Sequence, residues 1–333
     1  MRTVLPIVLA VCLSGCNRST TTERVREVRV ALPRDGITWL PIRLAQTLGY
    51  FGEQNLKISV SDAAGLSKAM ESLLGGSVEV IGGGLSQTIQ VAAEGRSVRS
   101  FVLLYTRSTM ALAIAPGMTG KIKDVAGLKR HNIGITSPGS VTHQQLNFVL
   151  SKHHLSQDDV SVVSIGTGAS SLSALERGKV DAAMLVGSAL TTFERRNPGA
   201  VLLADSRTAE GTRKVFGSDT FPNTVILAQD SWLKANPDTA RRFARSVLKA
   251  MGWMHTHSAE EVRAQMSESE RMPDAEADLQ AIRQAQQTLS PDGVMPDPAP
   301  ELMRKFVAVS SEKVATANIE LANIYTNEFV IGK

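Results

Sequence analysis

The chain has 333 residues, 43% of them hydrophobic, so it is long enough to bury a sizeable core in two domains or one two-lobed unit. Its formal charge of +4 is small and spread along the chain, and no Lys/Arg block with interleaved aromatics occurs. This distribution excludes nucleic acid as a partner and is compatible with an anionic solute.

The N-terminus predicts export. Residues 1–15 contain Arg2 as a positive charge and an apolar stretch from 4 to 13, which is too short to cross a bilayer of ~30 Å but typical of a signal peptide. The stretch ends in Leu13-Ser14-Gly15-Cys16, which resembles the lipobox of bacterial lipoproteins, where the cysteine is acylated. An ordinary secretory signal followed by a chance cysteine is the alternative.

The position of Cys16 sets the expected location. We expect palmitate on Cys16, a polar and Thr-rich tether over residues 16–27, and a lipid-anchored protein of the periplasm or cell envelope. Cys12 would leave with the signal peptide, so the mature chain would have no disulfide. Core packing alone would then hold the folded part together.

Beyond the tether, short apolar runs alternate with helical periodicity, which predicts an α/β fold. Expected strands up to residue 228 cover residues 28–32, 56–60, 78–81, 102–105, 110–115, 132–136, 160–164, 182–186 and 224–228. Expected helices include one near Pro41, one over residues 66–74, one over 86–93 and one from the 137–140 loop to about residue 153.

One helix-turn-strand signature occurs twice. Leu73-Leu74-Gly75-Gly76-Ser77-Val78-Glu79-Val80 is matched by Leu175-Glu176-Arg177-Gly178-Lys179-Val180-Asp181-Ala182. In both copies a helix ends at glycine, and a valine and an acidic residue precede a buried strand. Two such units indicate two lobes with a cleft between them, although any two αβ units share some of this pattern.

After Asn223 the pattern becomes helical. Asn236-Pro237-Asp238 is a strong helix start, Ser258 with Glu261 makes a capping box, and further helices are expected over residues 278–289 and 301–310. We interpret this part as a return to the first lobe. Residues 28–115 and 225–333 would form lobe 1, residues 116–224 would form lobe 2, and crossings near 110–116 and 222–228 would form a two-strand hinge.

Several stretches together resemble a family of bacterial transport proteins. They are residues 40–51 (LPIRLAQTLGYF), residues 76–80 (GSVEV), residues 178–183 (GKVDAA), the Ser137–Ser140 loop and the Asn236-Pro237-Asp238 helix start. The chain is similar to the solute-binding proteins of ABC importers in the sulfonate, nitrate, taurine and thiamine-precursor group. At Val186-Gly187-Ser188-Ala189 it lacks the acidic residue and proline that many relatives have there.

The resemblance implies a fold and a role. It implies a two-lobed periplasmic-binding fold of the second type, with mixed sheets flanked by helices and a two-strand hinge. It also implies capture of a solute by lobe closure and delivery to a permease that is driven by a separate ATPase subunit.

Ligand contacts in such a fold are expected at the carboxyl ends of strands. The best candidate is the segment after the strand at 132–136, where Ser140 can cap a helix whose free amides and dipole favour an anion. Its predicted binding residues are Ser137, Gly139, Ser140, Val141 and Thr142, with Gly139 permitting close backbone approach. A helix capped only by its own serine and by water is the alternative.

Other strand ends supply further candidates. They are Asp35, Gly36, Thr38, Trp39, Gly83, Gly84, Ser86, Thr106, Gly187 and Ser188, with Arg107 a further rim candidate. Gly83 to Ser86 would repeat the helix-terminus arrangement in the first lobe, and Trp39 would offer a flat wall. Structural roles compete with each: a turn for Asp35 and for the glycines, a hydrophobic staple for Trp39, and a solvated surface position for Arg107.

Enzyme motifs are lacking. There is no P-loop, no nucleophile elbow and no zinc-protease motif, and Gly166-Thr167-Gly168 is an incomplete dinucleotide turn. His153-His154 and His255-Thr256-His257 lack metal-site spacing. We expect no catalytic residue, no metal and no cofactor. A fungal relative of the fold makes a thiamine pyrimidine from its own histidine and a cofactor, to which an exported lipoprotein lacks access.

These observations favour a monomeric receptor for a small anion such as a sulfonate, nitrate or taurine, working with an ABC permease and its ATPase. Two alternatives stay open. The same fold can bind a neutral heterocycle such as a pyrimidine, or serve as a periplasmic sensor that reports ligand occupancy to a membrane kinase.

Overall fold

The computed structural model describes residues 25–34, 37–271 and 273–331. The predicted signal peptide, Cys16 and the site candidates Asp35 and Gly36 lie outside these residues. None of the helices in the described part of the chain combines the length and hydrophobicity that a membrane span requires.

The predicted alternation of strands and helices is confirmed. The strands are β1 (Arg26–Pro33), β2 (Leu56–Ala63), β3 (Val80–Gly84), β4 (Val98–Leu103), β5 (Met110–Ile114), β6 (Asn132–Ile135), β7 (Ser161–Ser164), β8 (Ala182–Val186), β9 (Leu202–Asp205) and β10 (Thr224–Gln229). The helices up to β10 are α1 (Leu40–Thr47), α2 (Tyr50–Glu53), α3 (Leu66–Leu74), α4 (Leu85–Ala93), α5 (Val141–Lys152), α6 (Ala169–Glu176), α7 (Gly187–Arg196) and α8 (Ala209–Phe216).

The C-terminal part is helical, as predicted. Its helices are α9 (Asp230–Ala235), α10 (Pro237–Thr256), α11 (Ala259–Ala264), α12 (Ala275–Thr288), α13 (Ala299–Ala308) and α14 (Glu312–Thr316). Single 3₁₀ turns cover Pro116–Met118, Ala126–Leu128, Gln157–Asp159, Glu268–Glu270 and Leu321–Asn323.

The strands form two five-stranded mixed sheets of the same design. The first has the order β2-β1-β3-β10-β4 and the second the order β7-β6-β8-β5-β9. In each sheet the first three strands are parallel, and the fourth (β10 or β5) is antiparallel to both neighbours. Each antiparallel strand is the one that follows a crossing from the other sheet. The predicted fold class, two mixed sheets flanked by helices, is confirmed.

Two predicted boundaries differ from the structure. Residues 110–115 were assigned to lobe 1, but β5 lies in the second sheet, so the first crossing precedes Met110. The predicted tether extends to residue 27, but β1 begins at Arg26, which pairs with Leu56. In both cases hydrogen bonding to a neighbouring strand decides the boundary, and that information is not local.

The C-terminal helices contact both lobes rather than the first alone. The Thr191 hydroxyl on α7 donates to the Ala277 carbonyl of α12 at 3.0 Å. Phe306 on α13 lies 5.4 Å from Phe148 on α5 and 4.9 Å from Phe221 in the second crossing, measured between ring centroids. These contacts join the lobes by a hydrogen bond and by aromatic packing.

Candidate ligand-binding site

A cavity of about 720 Å³ lies between the two sheets, at the carboxyl ends of their parallel strands. Loops after β1, β2 and β3 line it from the first lobe, and loops after β6, β7 and β8 line it from the second. The predicted site residues in its lining are Thr38, Trp39, Gly83, Gly84, Ser137, Ser140, Val141, Thr142 and Ser188. Parallel strands thus bring together residues that are far apart in the sequence.

The N-terminus of α5 forms one wall. The Ser140 hydroxyl accepts the N–H of His143 at 3.3 Å, and the Thr142 hydroxyl accepts the N–H of Thr136 at 3.0 Å. The backbone N–H groups of Val141 and Thr142 have no acceptor among the described residues. Two open amides therefore lie beside the cavity at the positive end of the helix dipole.

The loop before α5 is held by His143. The Gly139 amide donates to His143 Nδ1 at 3.1 Å, while Nε2 lies 3.0 Å from Oε1 of Gln157. The structure corrects the role expected for Gly139, which does not line the cavity. Its φ of +73° explains the glycine, because the turn requires a left-handed residue.

The N-terminus of α7 forms a second, adjacent wall. Ser188 and Ala189 line the cavity, and their amides have no acceptor among the described residues. Gly187 does not line the cavity, and its N–H donates to the Thr109 carbonyl at 3.3 Å. Gly187 therefore helps to join α7 to the first crossing.

A charged cluster fixes the far half of α7. Arg207 donates to both carboxylate oxygens of Glu194 at 2.7 and 2.8 Å, and to Oδ1 and Oδ2 of Asp205 at 2.8 and 2.6 Å. Burial alone would lower the pKa of Arg207, but its hydrogen bonds to Asp205 and Glu194 outweigh burial and raise the pKa above its usual value. The guanidinium therefore stays charged and ties α7 to the end of β9.

The first lobe does not repeat the open helix terminus that the sequence predicts at Gly83 to Ser86. Gly83 and Gly84 belong to the end of β3, and the first amides of α4 are already bonded to Asn223. The Leu85 N–H donates to the Asn223 carbonyl and the Ser86 N–H to Asn223 Oδ1, both at 2.8 Å. Ser86 is fully buried outside the lining, so it is not positioned to contact a ligand.

Of the remaining residues predicted in the first lobe, Trp39 lines the cavity, whereas Thr106 and Arg107 do not. The Trp39 indole lines the cavity and lies over Gly82, where an added Cβ would meet the ring at 2.5 Å. Thr106 is outside the lining, because its N–H and hydroxyl both donate to the Thr288 carbonyl, at 2.7 and 3.0 Å. Arg107 likewise donates to the Gln287 carbonyl at 2.8 Å. These two residues attach the crossing to α12.

Sequence reasoning missed several lining segments. Gly65 and Leu66 follow β2, and Gly166 to Gly168 follow β7 at the start of α6. Both segments obey the rule of strand carboxyl ends, so that rule applied to every strand would have found them. Asn223 carried no comparable signal, because its position depends on the crossing between lobes.

The ionised side chains of the lining lie on the first-lobe side. Arg43 of α1 donates to Asp62 at 2.7 Å and pairs through Nε with Glu270 at 2.7 Å, although its geometry to Glu270 is not that of a good hydrogen bond. Arg34 lies 3.9 Å from Asp62, and Arg271 donates to the Ala264 carbonyl. The lining residues from the second lobe are uncharged, with hydroxyls and backbone amides as their polar groups. The described residues contain no group of three or more His, Cys, Asp or Glu placed to hold a metal ion.

The fold and its interlobar cavity define a periplasmic-binding-protein architecture. The family model described as "NMT1/THI5 like" matches residues 37–261, which is more than half of the chain. The chain belongs to this family.

Two curated relatives illustrate its range. YtlA, a candidate binding protein of Bacillus subtilis (strain 168), is 24% identical over 92% of this chain and 89% of its own length. The 4-amino-5-hydroxymethyl-2-methylpyrimidine phosphate synthase THI13 of Saccharomyces cerevisiae is 24% identical over 65% of this chain and 63% of its own length. The relatives of this chain thus include a candidate binding protein and a synthase by name.

Experimental structures share the fold. A Bordetella bronchiseptica protein superposes with a TM-score of 0.84 at 29% identity, over 91% of this chain and 95% of that one. The alkanesulfonate-binding protein of Xanthomonas axonopodis pv. citri, bound to MOPS, gives 0.72 at 16% identity over 91% and 99%. The periplasmic nitrate-binding protein of Synechocystis PCC 6803 gives 0.70 at 12% over 92% and 87%.

Proposed function

We propose that this protein is an extracytoplasmic receptor that captures a small organic anion between its lobes and delivers it to an ABC permease. One observation carries the proposal: the N-termini of α5 and α7 place unpartnered amides beside one cavity, on a wall without a charged side chain. Two helix dipoles and four N–H groups there favour a negatively charged group.

The donor arrangement favours an anion over a neutral ligand. The amides of Val141, Thr142, Ser188 and Ala189 can only donate, and the nearest ionised groups lie across the cavity on the first lobe. Hydrogen bonds to a charged acceptor are about twice as strong as neutral ones. A sulfonate or carboxylate therefore gains more from this wall than a ring nitrogen does.

Size and apolar lining favour an organic body. Trp39, Met110, Met184, Val186 and Phe221 contribute apolar surface to the cavity. A nitrate ion would leave most of 720 Å³ to water and would not contact these side chains. Trp39 also belongs to the lining, and backbone amides can donate to ring nitrogens, so a pyrimidine stays the alternative ligand.

A binding role is preferred over catalysis. Some fungal relatives are synthases by name, but no histidine is present among the described residues that line this cavity. The carboxylates in the lining, Asp62 and Glu270, are paired with Arg43, and the other polar groups are guanidinium groups, hydroxyls and amides, which can hold a solute without an acid-base pair. We accordingly propose a receptor without enzymatic activity.

The proposed transport role also includes a location in the cell envelope. Relatives of this fold include proteins named for periplasmic sulfonate and nitrate binding. We propose that a lipid on Cys16 anchors a monomeric receptor near its permease, with residues 17–24 as the tether. Closure of the lobes would retain the solute until the permease is reached. A periplasmic sensor is the rival role, and solute uptake by cells with and without the receptor decides between them.

A ligand panel tests the proposed function. The purified protein is titrated with MOPS, hexanesulfonate, taurine, nitrate and 4-amino-5-hydroxymethyl-2-methylpyrimidine, and melting temperature and heat of binding are recorded. We expect stabilisation by the larger sulfonates, since a ligand at 100 times its Kd adds about 2.7 kcal/mol. Stabilisation by the pyrimidine alone would transfer the proposal to the alternative ligand. If none of the probes binds, the proposed function is wrong.

A further inference from the structure

Asn223 connects the cavity to the packing of the first lobe. It directly precedes β10 in the second crossing and is 5% exposed. Its backbone oxygen accepts the N–H of Leu85 and its Oδ1 accepts the N–H of Ser86, both at 2.8 Å. Asn223 therefore caps α4 from a distant part of the chain, which fixes its side chain beside the cavity.

The cap also fixes which branch of the side-chain amide is oxygen. Only Oδ1 can accept the N–H of Ser86, so Nδ2 is the other branch of the planar group. Nδ2 has no acceptor among the described residues, and it is not one of the side-chain atoms that are sealed without a partner. Asn223 lines the cavity, so the two N–H groups of Nδ2 are available to a ligand there.

Gly84 supplies the room for this arrangement. A Cβ at Gly84 would lie 3.1 Å from Asn223 Oδ1 and 3.3 Å from Nδ2, closer than ordinary contact. The end of β3 and the second crossing therefore approach each other at the amide itself. This close approach holds the side-chain amide of Asn223 at a fixed place against the first lobe.

We propose that Asn223 contacts the ligand and determines its specificity by donating from Nδ2 to an acceptor of the bound solute. The inference rests on the proposed function and narrows its substrate class. The amides of α5 and α7 demand acceptors on the second-lobe wall, and Asn223 demands a further one where the second crossing lines the cavity. The preferred solute is an organic anion with a second acceptor, such as a carboxylate or carbonyl, away from its anionic head.

A purely hydrocarbon tail would leave the buried donor unsatisfied. Sites built to hydrogen-bond one group discriminate strongly against analogues that lack it, because a buried polar group then stays unpaired. The protein should therefore prefer ω-sulfocarboxylates over n-alkanesulfonates of equal chain length. A series with two to five methylenes covers the span of the cavity without assuming a ligand pose.

Asn223→Asp removes the hydrogen-bond donor to the ligand but keeps the cap on α4. The aspartate keeps an oxygen for the Ser86 N–H, and a negative charge near the start of α4 is favourable, so the melting temperature should not fall. Both donor N–H groups are replaced by an acceptor. The new charge weakens both solute series and repels an ω-carboxylate most, so the ratio of their affinities should drop roughly 100-fold. The uncharged Asn223→Leu variant then shows how much of that drop is the lost contact.

Asn223→Leu is the matched variant that loses both cap and donor. It should melt at a lower temperature and bind the two series about equally. If Asn223→Asp keeps the unmodified preference, or if the unmodified protein has no preference, this inference is wrong while the receptor function stands. If the unmodified protein binds neither series nor any probe of the panel, the receptor function fails and the inference fails with it.

Discussion

Glu79 and Asp181 make the same pair of bonds in the two lobes. Glu79 donates its N–H to the Arg29 carbonyl at 3.0 Å, and its Oε2 accepts the Arg29 N–H at 2.7 Å. Asp181 donates to the Asn132 carbonyl at 2.8 Å and accepts the Asn132 N–H through Oδ2 at 2.9 Å. The acidic residue of each sequence repeat thus joins the start of one parallel strand to its neighbour.

The hydrogen bond from the strand amide to the acidic side chain should stabilise each lobe. Asp181→Ala removes the acceptor of the Asn132 N–H, so the free energy of unfolding should fall by about 1–2 kcal/mol in urea denaturation. Asp181→Asn keeps an amide oxygen in place and should lose less. Equal losses in the two variants would show that the carboxylate oxygen is not the stabilising acceptor.

A proline at position 141 tests the anion-binding wall. Val141 is the first residue of α5, and Ser140 before it has φ −70° and ψ 166°, a conformation that precedes proline readily. Val141→Pro should keep the helix but remove one open amide, and affinity for a bound sulfonate should fall about tenfold. Binding is measured by calorimetry.

Val141→Ala is the control for that variant, since it loses the side chain and keeps the amide. We expect its affinity to lie closer to that of the unmodified protein. If the alanine variant loses as much as the proline variant, the apolar contact of Val141 and not its N–H would be the interaction that matters.

Asp274 predicts a pH dependence at the contact between lobes. It caps α12, accepting the Ala277 N–H at 3.1 Å, and Arg195 of α7 lies 3.3 Å away. These contacts, the Ala277 bond first, lower the pKa of Asp274 below its usual value. A lowered pKa means that the charged form stabilises the fold above about pH 4, and that this contribution is lost as pH falls through the folded value.

Asp274→Asn keeps the capping oxygen but cannot titrate. Its free energy of unfolding at pH 7 should drop by less than about 1 kcal/mol, and the gap to the unmodified protein should close as pH falls below 4. Urea denaturation from pH 3 to pH 7 measures both curves. A gap that stays constant across this range would contradict the assignment.

Arg207 predicts a coupling between the charged cluster and the site. Arg207→Met leaves Glu194 and Asp205 without their cation in a largely enclosed position, so unfolding should become easier by about 3 kcal/mol. Because Arg207 holds the C-terminal half of α7, whose N-terminus lines the cavity, affinity for a bound sulfonate should also decrease. Glu194→Gln, which keeps the shape and part of the hydrogen bonding, should give smaller changes in both measurements.

The fold was largely predictable because its signals are local. Apolar periodicity located α3 and α6, and the left-handed glycines at Gly76 and Gly178 fall where the repeat predicted them, with φ of +74° and +64°. The order of these units then pointed to the correct family. The strand over 182–186 was also correct, because a short apolar run between a turn and a helix had few other interpretations.

The errors share a different cause, which is dependence on partners distant in sequence. The strand expected over 78–81 continues through Gly82 to Gly84, because β10 hydrogen-bonds that segment and Trp39 covers it. The amides of α4 looked open in the sequence, but Asn223 occupies them. No local pattern near residue 84 contains information about residue 223.

The candidate site was therefore predicted in part. Segments such as Ser137 to Thr142 follow from strand ends and helix caps alone. The pairing of Arg43 with Asp62 and Glu270 requires knowledge of how the turn at Glu268–Glu270 approaches α1. Gly139 was assigned a ligand contact because glycine permits both close approach and a left-handed turn, and the sequence does not distinguish these uses.

The order of strands has a consequence for how the chain acquires its structure. The second sheet uses β5 to β9, which are contiguous, and it has all its strands once residue 205 is available. The first sheet needs β10, so during N-to-C synthesis β3 keeps one unpaired edge until residue 229 has emerged. The second lobe can thus complete its sheet before the first, whether the chain emerges from the ribosome or from a membrane translocase. During that interval the open edge of β3 is accessible to another chain or to a chaperone.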